Sequence, residues 1–263
     1  MGSQVLSTEL KDSVGVIKLN RPEKLNSINT ELAAELLKTL SDYSEEQNVK
    51  AILLTGEGRA FCAGQDLEEV KPRPDGSVPD LQKIVEQNYN PLVKKITEID
   101  KLVICAVNGV AAGAGANIAL ACDVVFAGES ASFIQSFKHV GLIPDSGGTF
   151  SLARLVGLGK ARGLIYSADK VSAKEAEAMG MIYKVIEDSE LENAAQKFAK
   201  QIAEGPSLGF SLTKRALREG LTNDLNKQLD LEEKLQGQAG KSHDYKEGVE
   251  AFIEKRKPEF KGN

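Results

Sequence analysis

The sequence predicts an α/β fold, and three observations carry that prediction. Segments 51–55 (AILLT), 102–107 (LVICAV) and 124–127 (VVFA) are continuous apolar runs, the pattern of strands covered on both faces. Segments of helical periodicity separate such runs, and strands alternating with helices imply crossover connections. The first two runs lead into turns rich in small residues and then into helix-like segments.

The elements follow in order. Residues 14–20 (VGVIKLN) read as a strand. The RPEKLNSIN that follows reads as a loop, because Pro22 breaks the pattern. Asn29 or Thr30 can cap the next helix, in which Leu32, Ala33, Leu36, Leu37 and Leu40 share one face. Residues 71–80 (KPRPDGSVPD) carry three prolines and read as a loop beside the first small-residue turn. Residues 172–181 (SAKEAEAMGM) are predicted helical, and residues 183–187 form a short strand. Residues 191–203, 207–219, 225–236 and 245–255 all have helical periodicity, with a break at Gly205 and Pro206. The division is therefore an α/β core over residues 1–204 and a helical region over residues 205–263. That region is too short to form its own core, so it packs on the first part or on a neighbouring subunit.

Composition narrows the function classes. The formal net charge of −5 argues against a nucleic-acid footprint. No apolar run approaches the ~20 residues of a spanning helix, and the opening MGSQVLSTELKDS is too polar for a signal peptide. The three cysteines, Cys62, Cys105 and Cys122, lack CxxC spacing and sit among small or apolar residues. An odd, scattered set suits neither a disulfide framework nor zinc, and it fits a reducing cytoplasm. His139 and His243 are the two histidines. His243 lies in a polar segment and His139 between possible core positions, so histidine-based metal or nucleophilic chemistry is not expected.

The small-residue turns carry the chemistry. In NGVAAGAGANIAL (residues 108–120) an apolar strand ends in glycine and alanine and leads into a helix. Bare backbone admits a ligand closely, and a helix start presents unpaired N–H groups. The turn lacks the Gly-Lys-Ser/Thr of a P-loop. Tight helix–strand packing uses the same residues, so this turn alone does not decide. GRAFCAGQDL (residues 58–67) repeats the arrangement, with Ala63 and Gly64 before a helix-like start at Asp66. Two such strand ends can each give one N–H to a shared oxyanion hole.

The two turns and their flanks resemble the crotonase (enoyl-CoA hydratase/isomerase) superfamily. The supporting segments are LNRPEKLNSIN, LTGEGRAFCAGQDL, AVNGVAAGAGANIALACDVVFA, GLIPDSGGTFSLARLVG, SAKEAEAMGMIYKV and GVEAFIEKRKPEF, which together cover essentially the whole chain. The resemblance implies a spiral of repeated ββα units, C-terminal helices, and trimers or dimers of trimers. It also implies an acyl-CoA thioester substrate whose enolate is held by two backbone N–H groups, here those of Gln65 and Ala114. CoA itself belongs to the substrate, and no separate cofactor or metal is implied. By the same resemblance the nucleotide end of CoA lies along Lys24, Leu25, Ala63, Gly64, Asp66 and Leu67, and Gly113, Asn117 and Phe137 also belong to the substrate-binding set. Phe252 and Lys255 of a neighbouring subunit match positions at the nucleotide. Solvated surface charge is the plain alternative for Lys24 and Lys255.

The reaction is set by the acid–base residues, since one scaffold hosts many chemistries. Family hydratases hold a water between two glutamates, and the matching positions here are Asn117 and Phe137. Neither is a general base. Asp145, in GLIPDSGG, matches the aspartate of several superfamily isomerases, although an aspartate there can also cap a helix. Phe137, Ile143 and Phe150 are expected to surround it and raise its pKa. YNPLV (residues 89–93), VICAVNGVAAGAGA and GLIPDSGGTF resemble the ring 1,2-epoxyphenylacetyl-CoA isomerase subfamily, which implies ring-epoxide isomerisation together with Δ3-Δ2-enoyl-CoA isomerisation. Phe137 then suits an aryl or alicyclic acyl group or simply packs in the core. The alternatives are a 2-enoyl-CoA hydratase, a dehalogenase, and a non-catalytic acyl-CoA-binding or RNA-binding scaffold.

Overall fold

A computed structural model describes residues 5–263. Its strands are β1 (Leu6–Lys11), β2 (Val14–Leu19), β3 (Ala51–Gly56), β4 (Ala60–Cys62), β5 (Leu102–Val107), β6 (Val110–Ala112), β7 (Val124–Gly128), β8 (Ser132–Ile134), β9 (Val171–Ser172) and β10 (Lys184–Ile186). The helices before residue 170 are α1 (Thr30–Glu45), α2 (Leu67–Val70), α3 (Leu81–Ile84), α4 (Asn90–Glu98), α5 (Ala114–Leu120), α6 (Gly148–Val156) and α7 (Leu158–Ser167). Those after it are α8 (Ala173–Ala178), α9 (Leu191–Ala203), α10 (Ser207–Gly220), α11 (Leu225–Ala239) and α12 (His243–Glu254).

The strands form two sheets. The larger runs β1-β2-β3-β5-β7-β10 and is parallel except for β1 against β2. The smaller runs β4-β6-β8-β9. β3, β5 and β7 of the larger sheet are each followed by a short strand of the smaller one, β4, β6 and β8, and then by helical structure. This is the repeated ββα spiral of the crotonase fold.

β3 shows why its sequence is apolar throughout. Ile52 and Leu54 point into the larger core with Leu32, Leu36 and Leu40 of α1. Ala51 and Leu53 point the other way, onto Leu191, Ala195 and Ala199 of α9. Each fully buried leucine or isoleucine contributes about 1.5–3 kcal/mol, so both faces hold the sheet. Asn29 begins α1, and its side chain accepts from Leu32 N.

Several expectations need correction. The two small-residue turns contain the strands β4 and β6. The helix expected after Asp66 is one four-residue turn, α2. β1, α3, α4 and α7 have no counterpart in the sequence reading. β1 escaped because five of its six residues are exposed, so it carries no alternation. His139 is exposed rather than among core positions.

The helical C-terminal region docks on the α/β part through a buried lysine. Lys214 of α10 donates to Ile96 O and pairs with Asp123, each at 2.8 Å. No described helix is long and apolar enough to cross a membrane.

Candidate active site

Two glycines bring the strand-end turns together. Gly64 follows β4 with φ +91°, and Gly113 follows β6 with φ +53°. A Cβ on Gly64 would stand 2.8 Å from Ala112 O and 3.5 Å from Ala114 N. The first turn therefore lies directly on the second, and only a residue without a side chain fits there. Ile28 bridges to Gln65: Ile28 N donates to Gly64 O at 2.7 Å and Asp66 N donates to Ile28 O at 2.9 Å. In a parallel bridge of this register the Gln65 N–H points away from Ile28. Ala114 opens α5, so its N–H has no partner within the helix. Neither amide makes a backbone hydrogen bond among the described residues.

Two asparagines brace these turns. Asn26, fully buried, donates to Glu57 O and Ala60 O at 2.9 and 2.8 Å and accepts from Arg21 N. Asn108 accepts from Gly56 N and donates to Gly58 O. The sequence reading assigned neither a role. A single sequence marks neither, because each bonds to a distant segment; in the structure Asn26 sits in the left-handed region that asparagine tolerates.

The Gln65 side chain is held on both ends. Nε2 donates to Ile28 O and Asp66 O, and Oε1 accepts from Tyr89 Oη at 2.6 Å. Tyr89 is 1% exposed. Burial, and next the charge of Asp145, raise its pKa. Asp66 pairs with Arg21 at 2.8 Å. Burial is the largest influence on Asp66 and opposes its ionisation, but the Arg21 bond, the Glu68 N–H and the charges of Arg21 and Lys24 together hold the pKa low. Asp66 is therefore a strut of the turn, and its carboxylate is occupied within the chain.

Asp145 enters from the segment before α6. Its carboxyl accepts from Ser146 Oγ at 2.9 Å, and burial raises its pKa. The helix-cap reading fails: the N-cap of α6 is Gly147, and no side chain caps it. Ser146 holds φ +50°, a strained value for a residue with a side chain, and Gly147 follows at +75°, which glycine adopts freely. The apolar shell differs from expectation. Phe137 is 8% exposed, but Ile143 is 80% and Phe150 45% exposed. Phe150 instead lies under the Arg154 guanidinium at 3.6 Å.

The remaining positions divide. A Cβ on Gly113 would be 3.8 Å from the Phe137 ring, so that ring walls the second turn. Asn117, expected among the substrate-binding residues, is 1% exposed and both its polar ends bond within the protein. Leu25 O accepts from Ala63 N at 3.0 Å, which joins the segment of Lys24 and Leu25 to the first turn. Lys24 and Leu67 are exposed beside it. Phe252 (86% exposed) and Lys255 lie at the end of α12 on the surface of the chain. The Cys62 thiol is pushed up to about 12 by burial, so it is no nucleophile.

Comparisons with known proteins agree with this architecture. The family model for enoyl-CoA hydratase/isomerase matches residues 9–263. The chain is 46% identical to 1,2-epoxyphenylacetyl-CoA isomerase of Escherichia coli (strain K12), over 98% of this chain and 99% of that one. It is 35% identical to a short-chain-enoyl-CoA hydratase of Clostridium acetobutylicum, over 95% of each. The crystal structure of an enoyl-CoA hydratase from Bacillus anthracis superposes with a TM-score of 0.92 at 34% identity, covering 99% of this chain and all of that one. Relatives thus include both isomerases and hydratases. The chain belongs to the enoyl-CoA hydratase/isomerase family, within the crotonase superfamily.

Proposed function

We propose that the protein is an acyl-CoA isomerase with Asp145 as its one acid–base carboxylate. The observation that carries this reading is the contrast among three positions. Asp145 offers a half-buried carboxyl with a raised pKa, while Asn117 is bound within the protein and Phe137 is apolar. A raised pKa brings a carboxylate base closer to working pH.

The chemistry follows from one base. On a 3-enoyl-CoA, Asp145 takes a proton from C2. The electron pair moves into the C1–C2 bond, and charge gathers on the thioester oxygen. The N–H groups of Gln65 and Ala114 receive that charge, and one such donor is worth about 10²–10³ in rate. Asp145 then returns the proton to C4, which leaves the conjugated 2-enoyl-CoA. No water is added and no electrons are lost or gained, so the reading requires no cofactor beyond the CoA of the substrate.

The acyl group in this reading is aryl or alicyclic, with a ring 1,2-epoxide of phenylacetyl-CoA as the leading substrate. Two features support it: the Phe137 ring against Gly113, and the 46% identity to an isomerase of that name. The CoA chain runs along Lys24, Leu25 and residues 63–67. Phe252 and Lys255 of the partner subunit complete the nucleotide end in a trimer or a dimer of trimers.

The test is product analysis with the purified protein. 3-Hexenoyl-CoA should yield the conjugated 2-enoyl thioester, with little hydration of crotonyl-CoA. Hydration of crotonyl-CoA faster than isomerisation would instead make the protein a 2-enoyl-CoA hydratase. Turnover of neither, with tight acyl-CoA binding, would make it a binding scaffold.

A further inference from the structure

Behind Asp145 lies a pair of buried amides. Asn117 Nδ2 donates to Asp145 O at 2.9 Å, and Gln135 Nε2 donates to Asn117 Oδ1 at 2.8 Å. Asn117 and Gln135 are 1% and 5% exposed. The same Asp145 carbonyl accepts from Gly148 N at 2.8 Å.

The orientation of both amides is forced. A backbone carbonyl only accepts, so Asn117 must turn its NH₂ toward Asp145. That leaves its oxygen facing Gln135, which must then donate. Gln135 Oε1 ends the chain buried and without a protein partner among the described residues. A buried amide is costly unless bonded, so an apolar pair would pack here more cheaply if shape were all that mattered.

The pair acts on a segment with few other restraints. Residues 141–143 are exposed, and Ser146 and Gly147 hold positive φ. A Cβ on Gly148 would stand 2.2 Å from Asn117 Nδ2, so the start of α6 rests on the asparagine. Asn117 also belongs to α5, whose first residue is Ala114. It therefore ties the segment of Asp145 to the helix that presents one of the two turn amides.

We propose that Asn117 and Gln135 are positioning residues that fix Asp145 relative to the Ala114 amide, Asn117 directly and Gln135 through Asn117. This inference rests on Asp145 being the base. Misplacing a reacting group by about 1 Å can cost on the order of 10²-fold, so the amides should influence turnover without touching substrate.

The experiment uses Asn117→Asp, Gln135→Met, their double variant and Asp145→Asn, each assayed on 3-hexenoyl-CoA with folding checked by circular dichroism and thermal unfolding. Asn117→Asp keeps the shape but replaces the NH₂ donor by a carboxyl, which when ionised only accepts and so cannot bond to Asp145 O. The expected result is a kcat loss of about 10–100-fold with KM changed less than about threefold. Gln135→Met should give a smaller loss of the same kind. The double variant should be no worse than Asn117→Asp alone, since both act through one chain. Folded single variants with wild-type kcat, while Asp145→Asn is inactive, would overturn the positioning role and leave the base reading intact. Losses that multiply in the double variant, or that fall mainly on KM, would also overturn it. If Asn117→Asp does not fold, the kcat and KM of Gln135→Met decide alone. Wild-type turnover by Asp145→Asn would remove the base reading, and the positioning role with it.

Discussion

Tyr89 Oη donates a 2.6 Å hydrogen bond to Gln65 Oε1, and the same phenol lies within the electrostatic reach of Asp145. One buried side chain thus holds the side chain of the residue whose N–H the turn offers, and feels the charge of the proposed base. Removing its hydroxyl tests whether the Gln65 side chain must be held for its backbone to work. Tyr89→Phe should lower stability by about 0.5–1.5 kcal/mol and reduce kcat several-fold, read by denaturant midpoint and by turnover of 3-hexenoyl-CoA. An unchanged kcat would show that the Ile28 bridge alone orients the amide.

Gly64 gives a harsher test of the same turn. An alanine there takes on both a φ of +91° and a Cβ 2.8 Å from Ala112 O. Gly64→Ala should cost at least about 1–3 kcal/mol of stability and abolish measurable turnover in the fraction that folds. Acyl-CoA binding by calorimetry should weaken in parallel, because the two turns can no longer meet.

Asp145 makes a prediction about pH. Its carboxyl is raised above its ordinary value of 3.8, chiefly by burial. As a base it must be ionised, so kcat/KM should fall as pH drops through that raised value. Stability should run the other way. A carboxyl whose folded pKa exceeds its unfolded pKa destabilises the fold when ionised, and that cost fades as pH falls through the folded pKa toward 3.8. Asp145→Asn should therefore raise the melting temperature at pH 7, with a gain that shrinks under acid. No gain at pH 7 would mean the carboxylate is better solvated than its burial implies.

Lys214 tests how the C-terminal helices are attached. It bonds to Ile96 O and pairs with Asp123 at 2.8 Å, with side-chain exposures of 7% and 19%. Lys214→Met should cost about 1.5–3 kcal/mol, the range for hydrogen bonds to a charged group. The loss should show in thermal unfolding, while kcat of the folded fraction stays near wild type.

The sequence was most legible where burial is two-sided or periodic. β5 and α9 fall on the predicted residues, and β3 and β7 run one residue beyond them, because an apolar run or a repeating face leaves few alternatives. β1 was not legible, since an exposed edge strand has no pattern to read. The short strands β4 and β6 were hidden in small residues whose partner strands lie far along the chain. In the site, Gly64 and the two turns were readable from composition alone. Tyr89, Asn26, Asn108 and Gln135 were not. Each acts through a contact with a distant segment, and a single sequence does not reveal such pairs. Phe150 and Ile143 misled because apolar residues near a carboxylate in sequence need not surround it in space.

The most direct test of the central claim compares wild type with Asp145→Asn on 3-hexenoyl-CoA. Loss of a positioned general base removes about 10²–10⁴ in rate, so the variant should bind substrate with little change and lose isomerisation by that factor. Isomerisation within about threefold of wild type would contradict the account, because a general base worth at least about 10² cannot be removed at so small a cost.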